Sequence, residues 1–144
     1  MNAAYVATSP SVPAPSTQKA RRAGYVLSGL AVLFLLFDAT MKVLQLPAAV
    51  EGTVKLGYPP GVLLGLGIVQ LACLAVYLVP RTSVLGAVLW TGYLGGAIAT
   101  HVRVGDPLFS HVLFPVYVAA LLWGGLWLRM PNSGHRQALA QPSS

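Results

Sequence analysis

Six residues in this sequence carry side chains that could move a proton or hold a polar ligand: Asp38, Lys42, Glu51, His101, Arg103 and His111. Asp38 and Lys42 are four residues apart, a spacing that places both on one face of a helix, with the acid before the base. A lone charge in hydrocarbon costs about 2.5–3.5 kcal/mol on insertion scales, so we expect the two to pair and face the protein interior. There Asp38 would line a polar pocket or a proton path. The alternative is that the pair lies at the outer interface, with Lys42 extending toward the headgroups.

The two histidines of this set can exchange protons, because imidazole titrates near neutral pH. His101 and His111 could contact a quinone carbonyl or shuttle a proton, and Arg103 could hydrogen-bond a quinone oxygen. Neither histidine belongs to an HxxxH or ExxH pattern, so we predict no metal site. Pro115 follows His111 by four residues and cannot donate to its carbonyl, which predicts a kink that frees this oxygen for another partner. A purely structural kink is the alternative.

The composition indicates what kind of protein positions these side chains. Of the 144 residues, 56% are hydrophobic and 8% are charged, whereas soluble domains carry about 25% charged residues. The chain is therefore expected to be a membrane protein, with no room for a large soluble catalytic domain beside its spans. We expect that it is not an enzyme by itself. The single cysteine, Cys73, excludes an internal disulfide and a cysteine-based metal cluster.

Four apolar stretches predict an all-α fold, namely an integral membrane four-helix bundle. Each stretch is close to the length of about 20 residues that crosses a bilayer. The spans are about 23–45, 61–79, 82–102 and 108–128. Residues 47–60 are too polar to cross, so they predict a short interfacial segment between the first two spans.

The ends of the chain differ from the spans in composition. Residues 1–22 are rich in Ala, Ser and Pro and end in a basic stretch, and residues 130–144 are again polar. Such segments bury too little apolar surface to offset the entropy of ordering, so we predict a disordered N-terminal tail and a flexible C-terminal tail. The transmembrane domain is then residues 23–129.

The distribution of charge predicts the orientation of the spans. Six basic residues and no acidic residue fall on one side of the predicted membrane: Lys19, Arg21, Arg22, Arg81, Arg129 and Arg136. By the positive-inside rule both termini are cytoplasmic, as in a multi-pass protein of the inner (cytoplasmic) membrane. This accounts for most of the net charge of +6 without nucleic acid as a partner.

The six candidate residues then gather in or near the outer half of the bilayer, and we call them the outer cluster. Asp38 lies about 22 Å along its helix from Ala23, which places it in that half. His101 lies near the outer end of the third predicted span and His111 just inside the outer start of the fourth, and Glu51 and Arg103 belong to the same side. Ordinary loop polarity is the alternative explanation of this clustering.

Glycines in the third predicted span indicate a packing surface. Gly92 and Gly96 form a small-xxx-small motif that lets a second helix approach closely, and we predict a role in helix packing for them and for Pro115. At about 100° per residue, His101 falls almost opposite Gly92, so the sequence predicts a different neighbour for each. The motif would also serve a homo-oligomer.

Three stretches carry a recurring pattern: FLLFDATMKVLQLP (34–47), EGTVKLGYP (51–59) and VPRTSVLGAVLWTGYLGGAIATHVRVGDPLFSHVLFPVY (79–117). They resemble the DoxX-like family of small four-helix membrane proteins, over roughly residues 23–129. The matching positions are Asp38, Lys42, Glu51, Gly57, Tyr58, Pro59, Gly92, Gly95, Gly96, Thr100, His101, Arg103 and His111.

The resemblance implies a function that the residues alone do not. The family takes its name from a subunit of thiosulfate:quinone oxidoreductase, so it implies a link to quinone-coupled electron transfer, without a catalytic role for any matching position. The sequence has no haem, flavin or iron–sulfur signature, so we predict no intrinsic cofactor. A partner subunit or a diffusible quinone would supply the redox centre.

The sequence leaves three functions open. The first is an accessory or quinone-interacting subunit of a membrane redox system that uses the outer cluster. The second is a small-solute or proton carrier, built on the Asp38–Lys42 pair and the Pro115 kink. The third is a non-catalytic membrane scaffold or assembly factor that packs through Gly92 and Gly96. The expected partners are the lipid bilayer, a membrane redox subunit and a second copy of the chain.

Overall fold

The computed structural model describes residues 15–130, and the rest of both predicted tails, including Arg136, lies outside the described residues. Within this range the chain forms five α-helices and one short π-helix, and it contains no strand. The elements are α1 (Pro15–Val43), α2 (Pro47–Lys55), α3 (Val62–Leu78), α4 (Ser83–Val104), the π-helical segment (Leu108–Val112) and α5 (Phe114–Arg129). The predicted all-α class is thus confirmed for the described residues.

The first helix is longer than the sequence predicts. α1 begins at Pro15 instead of Ala23, so residues 15–22, predicted to be disordered, are helical. Proline is favoured in the first turn of a helix because its missing N–H would be unpaired there in any case. The Gln, Lys, Ala and Arg residues that follow are all good helix formers. The polar stretch after α1 contains a short helix, α2.

The last predicted span is interrupted where the sequence contains a proline. Leu108–Val112 is a π-helix and α5 begins at Phe114, so the regular α-helix is interrupted beside Pro115, where the sequence predicts a kink. Because Pro115 has no N–H, it cannot continue the α-helical ladder back to His111. The Leu113 N–H instead donates to the Leu108 carbonyl at 2.9 Å, which is the wider π-type spacing.

Three helical stretches are long and apolar enough to cross a membrane: Gln18–Val43, Ser83–Val104 and Leu108–Arg129. α3 is also apolar but has 17 residues, or about 26 Å at 1.5 Å per residue. Large hydrophobic side chains stay exposed along the bundle, such as Phe37 at 64% and Trp127 at 72%. An apolar outer surface of this kind suits lipid as the solvent, and the chain is a membrane protein.

The four long helices pack in a ring. The backbones of α1 and α4 each lie beside those of α3 and α5, whereas the backbones of the diagonal pairs α1–α4 and α3–α5 are not adjacent. The buried centre includes Leu35, Leu74, Trp90 and Leu122. We call the end with the start of α1 and the end of α5 the Arg129 end, and the end that carries α2 the α2 end.

Glycines bring neighbouring helices into backbone contact at the Arg129 end. A Cβ added at Gly86 in α4 would come within 2.4 Å of the Tyr77 Cα in α3. A Cβ at Gly125 in α5 would lie 2.8 Å from the Ser28 backbone nitrogen, and one at Gly24 would lie 2.9 Å from the Gly125 carbonyl oxygen. Helix contact through small residues therefore holds α3 to α4 and α1 to α5.

A methyl group at Gly86 should destabilise the protein, because the Tyr77 backbone cannot move without its whole helix. We expect Gly86→Ala to lower the free energy of unfolding by about 1–3 kcal/mol, the usual cost of overpacking. Gly95→Ala is the matched control in the same helix, where an added Cβ meets no atom within 4 Å. It should be neutral or slightly stabilising, since alanine is the better helix former. Thermal unfolding in one detergent tests this, and equal midpoints for the two variants would contradict the close contact of α3 with α4.

Candidate functional site: a cavity at the α2 end

A cavity of about 400 Å³ lies at the α2 end, among the four long helices. Its wall is mostly apolar, includes the aromatic side chains of Phe34, Tyr93 and Phe114, and ends against Leu35 and Val118 of the buried core. The polar side chains in the wall are Asp38, Lys42, Thr53, Tyr58, Gln70, Tyr93, Thr100 and His101. An apolar interior with a few converging polar groups is the usual make-up of a small-molecule site.

The Asp38 carboxylate accepts hydrogen bonds from two helices. The Lys42 ammonium, one turn along α1, donates to its Oδ2, so the predicted pairing is confirmed. The Gln70 side chain of α3 donates from Nε2 to the same oxygen at 2.6 Å. Sequence reasoning left Gln70 out of the outer cluster, although it is the one strongly polar side chain in an otherwise apolar span.

Gln70 also holds a polar atom without a partner. The residue is 1% exposed, and its Oε1 accepts no hydrogen bond from the described residues. Buried polar atoms are almost always paired, so each exception requires an explanation. Here the unpaired atom belongs to a side chain of the cavity wall.

His101 is oriented by a carboxylate that follows it in the chain. Its Nδ1 lies 2.6 Å from Oδ2 of Asp106. Gly105, in the left-handed conformation with φ of 74°, ends α4 and turns the chain back, so that the Asp106 N–H also donates to the His101 carbonyl. A glycine just after a helix is the sequence signal for such a turn.

Arg103 is not part of the cavity wall. Its Nη2 donates to the Leu56 carbonyl at 2.6 Å, and its guanidinium lies 5.7 Å from the centre of the Tyr58 ring. Gly57, with φ of 81°, lets the chain bend beneath it. Tyr58 in turn donates from its hydroxyl to Thr100, 2.9 Å away. Arg103 therefore fastens the α2–α3 loop to α4, and the expectation that it faces a ligand in this cavity is not met.

His111 and Glu51 also lie outside the wall. His111 is exposed on the π-helical segment, with its Nδ1 2.7 Å from the Ser110 hydroxyl and its ring centre 5.8 Å from that of His101. Glu51 is exposed on α2. The structure thus brings together three of the six members of the outer cluster around the cavity, namely Asp38, Lys42 and His101.

The residues predicted to pack helices border the cavity instead. Gly92, Gly96 and Pro115 all belong to its wall, and a Cβ added at Gly92 or Gly96 would meet no atom within 4 Å. The expectation that Gly92 and His101 have different neighbours is wrong, because both border the same space. Packing of Gly92 and Gly96 against a second copy stays a prediction.

A second polar network, at the Arg129 end, escaped the sequence reasoning. The Tyr77 hydroxyl donates to the Leu122 carbonyl at 3.0 Å and accepts from Arg129 Nη2 at 3.1 Å. Ser28 lies 3.1 Å from the same hydroxyl. Tyr77 follows Gln70 by seven residues, so both lie on one face of α3, and this spacing was the available signal.

The chain also matches a known family over most of its length. The family model described as DoxX-like matches residues 26–125, which include every residue of the cavity wall. The chain belongs to the DoxX-like family. No curated protein and no solved structure matches it.

The cavity of this DoxX-like protein combines surfaces for an aromatic ring with groups that exchange protons. Phe34, Tyr93 and Phe114 offer flat apolar contacts, and the Asp38 carboxylate and the His101 imidazole can each accept a proton. Within residues 15–130, no three His, Cys, Asp or Glu side chains are grouped to hold a metal ion. The arrangement is therefore suited to holding a small apolar ligand by its polar edges.

Removing one member of the Asp38–Lys42 pair should lower the free energy of unfolding by more than half of the loss seen when both are removed, because the other charge is left unpaired inside the membrane protein. In a double-mutant cycle of Asp38→Leu and Lys42→Met, we expect a coupling of about 1–3 kcal/mol between the two sites. The measurement is the free energy of unfolding of the four proteins in one mixed-detergent titration. Strictly additive losses would mean that the two side chains do not interact in the folded protein.

Removing the Tyr77 hydroxyl should destabilise the Arg129 end, because it leaves the Ser28 hydroxyl and the Leu122 carbonyl without their buried partner. We expect Tyr77→Phe to lower the free energy of unfolding by about 1–3 kcal/mol. Tyr117→Phe is the matched control, since the Tyr117 side chain is 50% exposed. Thermal unfolding of both variants decides: a loss no larger than that of the control would show that the network does not stabilise the bundle.

Proposed function

We propose that this protein is an accessory, quinone-interacting subunit of a membrane redox system and holds the ring of a quinone in the cavity at the α2 end. The observation that carries the proposal is the coexistence of a mostly apolar cavity of about 400 Å³ with two oriented proton-exchanging pairs in or beside its wall. These pairs are Asp38 with Lys42 on α1 and His101 with Asp106 at the end of α4. The protein is not an enzyme by itself in this proposal, and a partner subunit completes the redox reaction.

The residues of the wall fit a quinone headgroup. The ring is flat and apolar and carries polar oxygens on opposite edges, and the cavity has aromatic walls with polar groups contributed by different helices. Its volume lies in the range of about 300–1,000 Å³ that small-molecule sites occupy. Asp38 and Lys42 come from α1 and His101 from α4, so polar groups of two helices would bind the ring.

The boundary between α1 and α5 offers a way out for an apolar tail. Phe34 and Phe114 pack edge to face, with ring centres 5.2 Å apart. Both line the cavity, yet they are 40% and 43% exposed on the outer surface. A ligand with its ring in the cavity can therefore extend its tail past this aromatic pair into lipid.

His101 is placed to hold a proton for such a ligand. A bound quinone would supply the redox change, and the protein would supply the proton site. The Asp106 carboxylate beside Nδ1 favours the tautomer with its proton there, which leaves Nε2 free to accept a hydrogen bond or a proton. Asp38, paired with Lys42, would take or return a proton at the other polar edge.

The proposal also includes the topology: the protein crosses the inner (cytoplasmic) membrane four times, and both termini lie in the cytoplasm. α3 is the short fourth span, and α2 lies at the outer interface. Two observations support this topology. A Cβ at Gly24 in α1 would lie 2.8 Å from Leu128 in α5, so the chain enters and leaves at one end of the bundle. Five described basic residues lie near that end, whereas all three acidic residues lie near the other: Lys19, Arg21, Arg22, Arg81 and Arg129 against Asp38, Glu51 and Asp106.

The carrier function has less support from the geometry. A carrier needs a path between the two ends of the bundle, but the cavity ends against Leu35 and Val118. Trp90 and Leu122, 0% and 1% exposed, fill the space farther in. The Asp38–Lys42 pair therefore faces a chamber that is closed on the side of the Arg129 end.

Binding of quinones to the full-length protein in mild detergent tests the proposal. Short-chain benzoquinones and naphthoquinones, supplied oxidised and, without oxygen, reduced, should raise the thermal midpoint. A ligand at a hundred times its Kd stabilises the native state by about 2.7 kcal/mol. The shift should shrink in His101→Ala and persist in Glu51→Gln, a control outside the wall. No shift with any quinone in either redox state would refute the proposal.

A further inference from the structure

The Arg129 end gathers positive charge that the chain itself does not neutralise. Five described basic residues lie there: Lys19, Arg21, Arg22, Arg81 and Arg129. All three acidic residues of the sequence lie toward the other end of the bundle: Asp38, Glu51 and Asp106. Since the sequence has no other side-chain carboxylate, the negative charge that pairs with these cations comes from outside the chain.

Two of these arginines converge on one aromatic ring. The guanidinium carbon of Arg21 in α1 lies 5.8 Å from the centre of the Tyr25 ring, and that of Arg129 in α5 lies 5.6 Å from it. The ring attracts each cation, whereas the two cations repel each other. An anion beside Tyr25 would attract both guanidiniums and so offset their repulsion.

Hydrogen bonds hold the Arg129 guanidinium in this position. Its Nε donates to the Gly125 carbonyl at 3.3 Å, and its Nη2 donates to the Tyr77 hydroxyl at 3.1 Å. Neither bond uses Nη1, and Arg21 is exposed on α1. Both arginines can thus donate to a phosphate group, whose oxygens a guanidinium binds in pairs.

The two arginines lie where the headgroups of a bilayer would be. Arg129 is the last residue of one candidate span, and Arg21 lies in the first turn of another, Gln18–Val43. Farther into these spans the exposed side chains are apolar, as with Val26 and Trp127. A molecule that fits this surface has negative charge beside the arginines and an apolar body along the helices. A phospholipid of net negative charge has both, whereas an acidic peptide has only the first.

We infer that Arg21, Tyr25 and Arg129 form a headgroup site for an anionic phospholipid, with its phosphate beside the two guanidiniums and its acyl chains along α1 and α5. The site is independent of the cavity at the α2 end and of the ligand proposed for it. The positive-inside rule accounts for basic residues at one end of the bundle, but it depends only on their charge. The lipid site depends on where two of them meet.

Two lipids with the same acyl chains separate headgroup charge from apolar contact. The full-length protein in neutral detergent is titrated with phosphatidylglycerol or phosphatidylcholine, and the thermal midpoint is followed against the mole fraction of lipid in the micelles. Half of the maximal shift should need about 25-fold less phosphatidylglycerol than phosphatidylcholine, because each of the two arginines contributes about fivefold to the binding of an anionic lipid.

Arg21→Gln removes one of the two guanidiniums from an exposed position, and the preference for phosphatidylglycerol should fall about fivefold. Arg22→Gln is the matched control, with the same change of charge at the next exposed residue. Because Arg22 points about 100° away around α1, and salt at about 0.15 M screens exposed charges beyond about 8 Å, this variant should keep the preference within about twofold.

Tyr25→Leu keeps every charge and removes the ring that gathers the two guanidiniums. The preference for phosphatidylglycerol should fall in this variant too, and an unchanged preference would overturn the inference. The midpoint of each variant in neutral detergent without lipid shows whether it is folded. If Arg21→Gln does not fold, Tyr25→Leu decides.

Three further results would also overturn the lipid site. The first is an equal response to the two lipids. The second is an equal loss of preference in Arg21→Gln and Arg22→Gln, because the charge of the whole end would then be the cause. The third is stabilisation by inorganic phosphate or by a polyglutamate peptide that equals the effect of phosphatidylglycerol, since neither has an apolar body.

Discussion

Polar groups inside a bilayer have no water to bind, and the arrangement of the helices depends on this constraint. The Asp38 carboxylate in α1 takes one donor from its own helix, Lys42, and one from α3, Gln70. Gln70 reaches it because Gly67, one turn earlier, lets α3 approach α1 closely: a Cβ there would lie 2.8 Å from a methyl group of Val43. The hydrogen bond from Gln70 to Asp38 and the close approach at Gly67 therefore hold α1 and α3 together at the α2 end.

The two ends of the bundle meet the same constraint in different ways. At the Arg129 end, the Tyr77 hydroxyl has hydrogen-bond partners from α1 and α5, and glycines let the backbones of neighbouring helices pack in direct contact. At the α2 end, the paired groups border open space, and no group of residues 15–130 donates to the Gln70 Oε1. A fully paired network makes the packing rigid, whereas a mostly apolar cavity with a few polar groups is suited to binding. In the function proposed above, stability and binding are thus assigned to opposite ends.

Features that depend on local sequence agree with the predictions. The limits of α3 and α4, the break at Pro115 and the pairing of Asp38 with Lys42 follow from apolar runs, the missing N–H of proline and the helical repeat. The start of α1 does not agree, because hydropathy marks where a helix enters lipid, whereas helix formation depends on propensity and continues outward to Pro15. Arg103 was assigned to the site as a member of the outer cluster, yet it binds the Leu56 carbonyl.

The sequence by itself determined that this is a helical membrane protein, which pairs lie within one turn of a helix, and which family it belongs to. Only the tertiary structure decided which polar residues of different helices meet: Gln70 with Asp38, and Tyr77 with Ser28 and Arg129. The physical reason is that lipid and protein core are equally apolar, so hydrophobic periodicity does not show which face of a membrane helix points inward. Contacts between side chains of neighbouring helices set that rotation, and with it the few charges and amides that line the cavity.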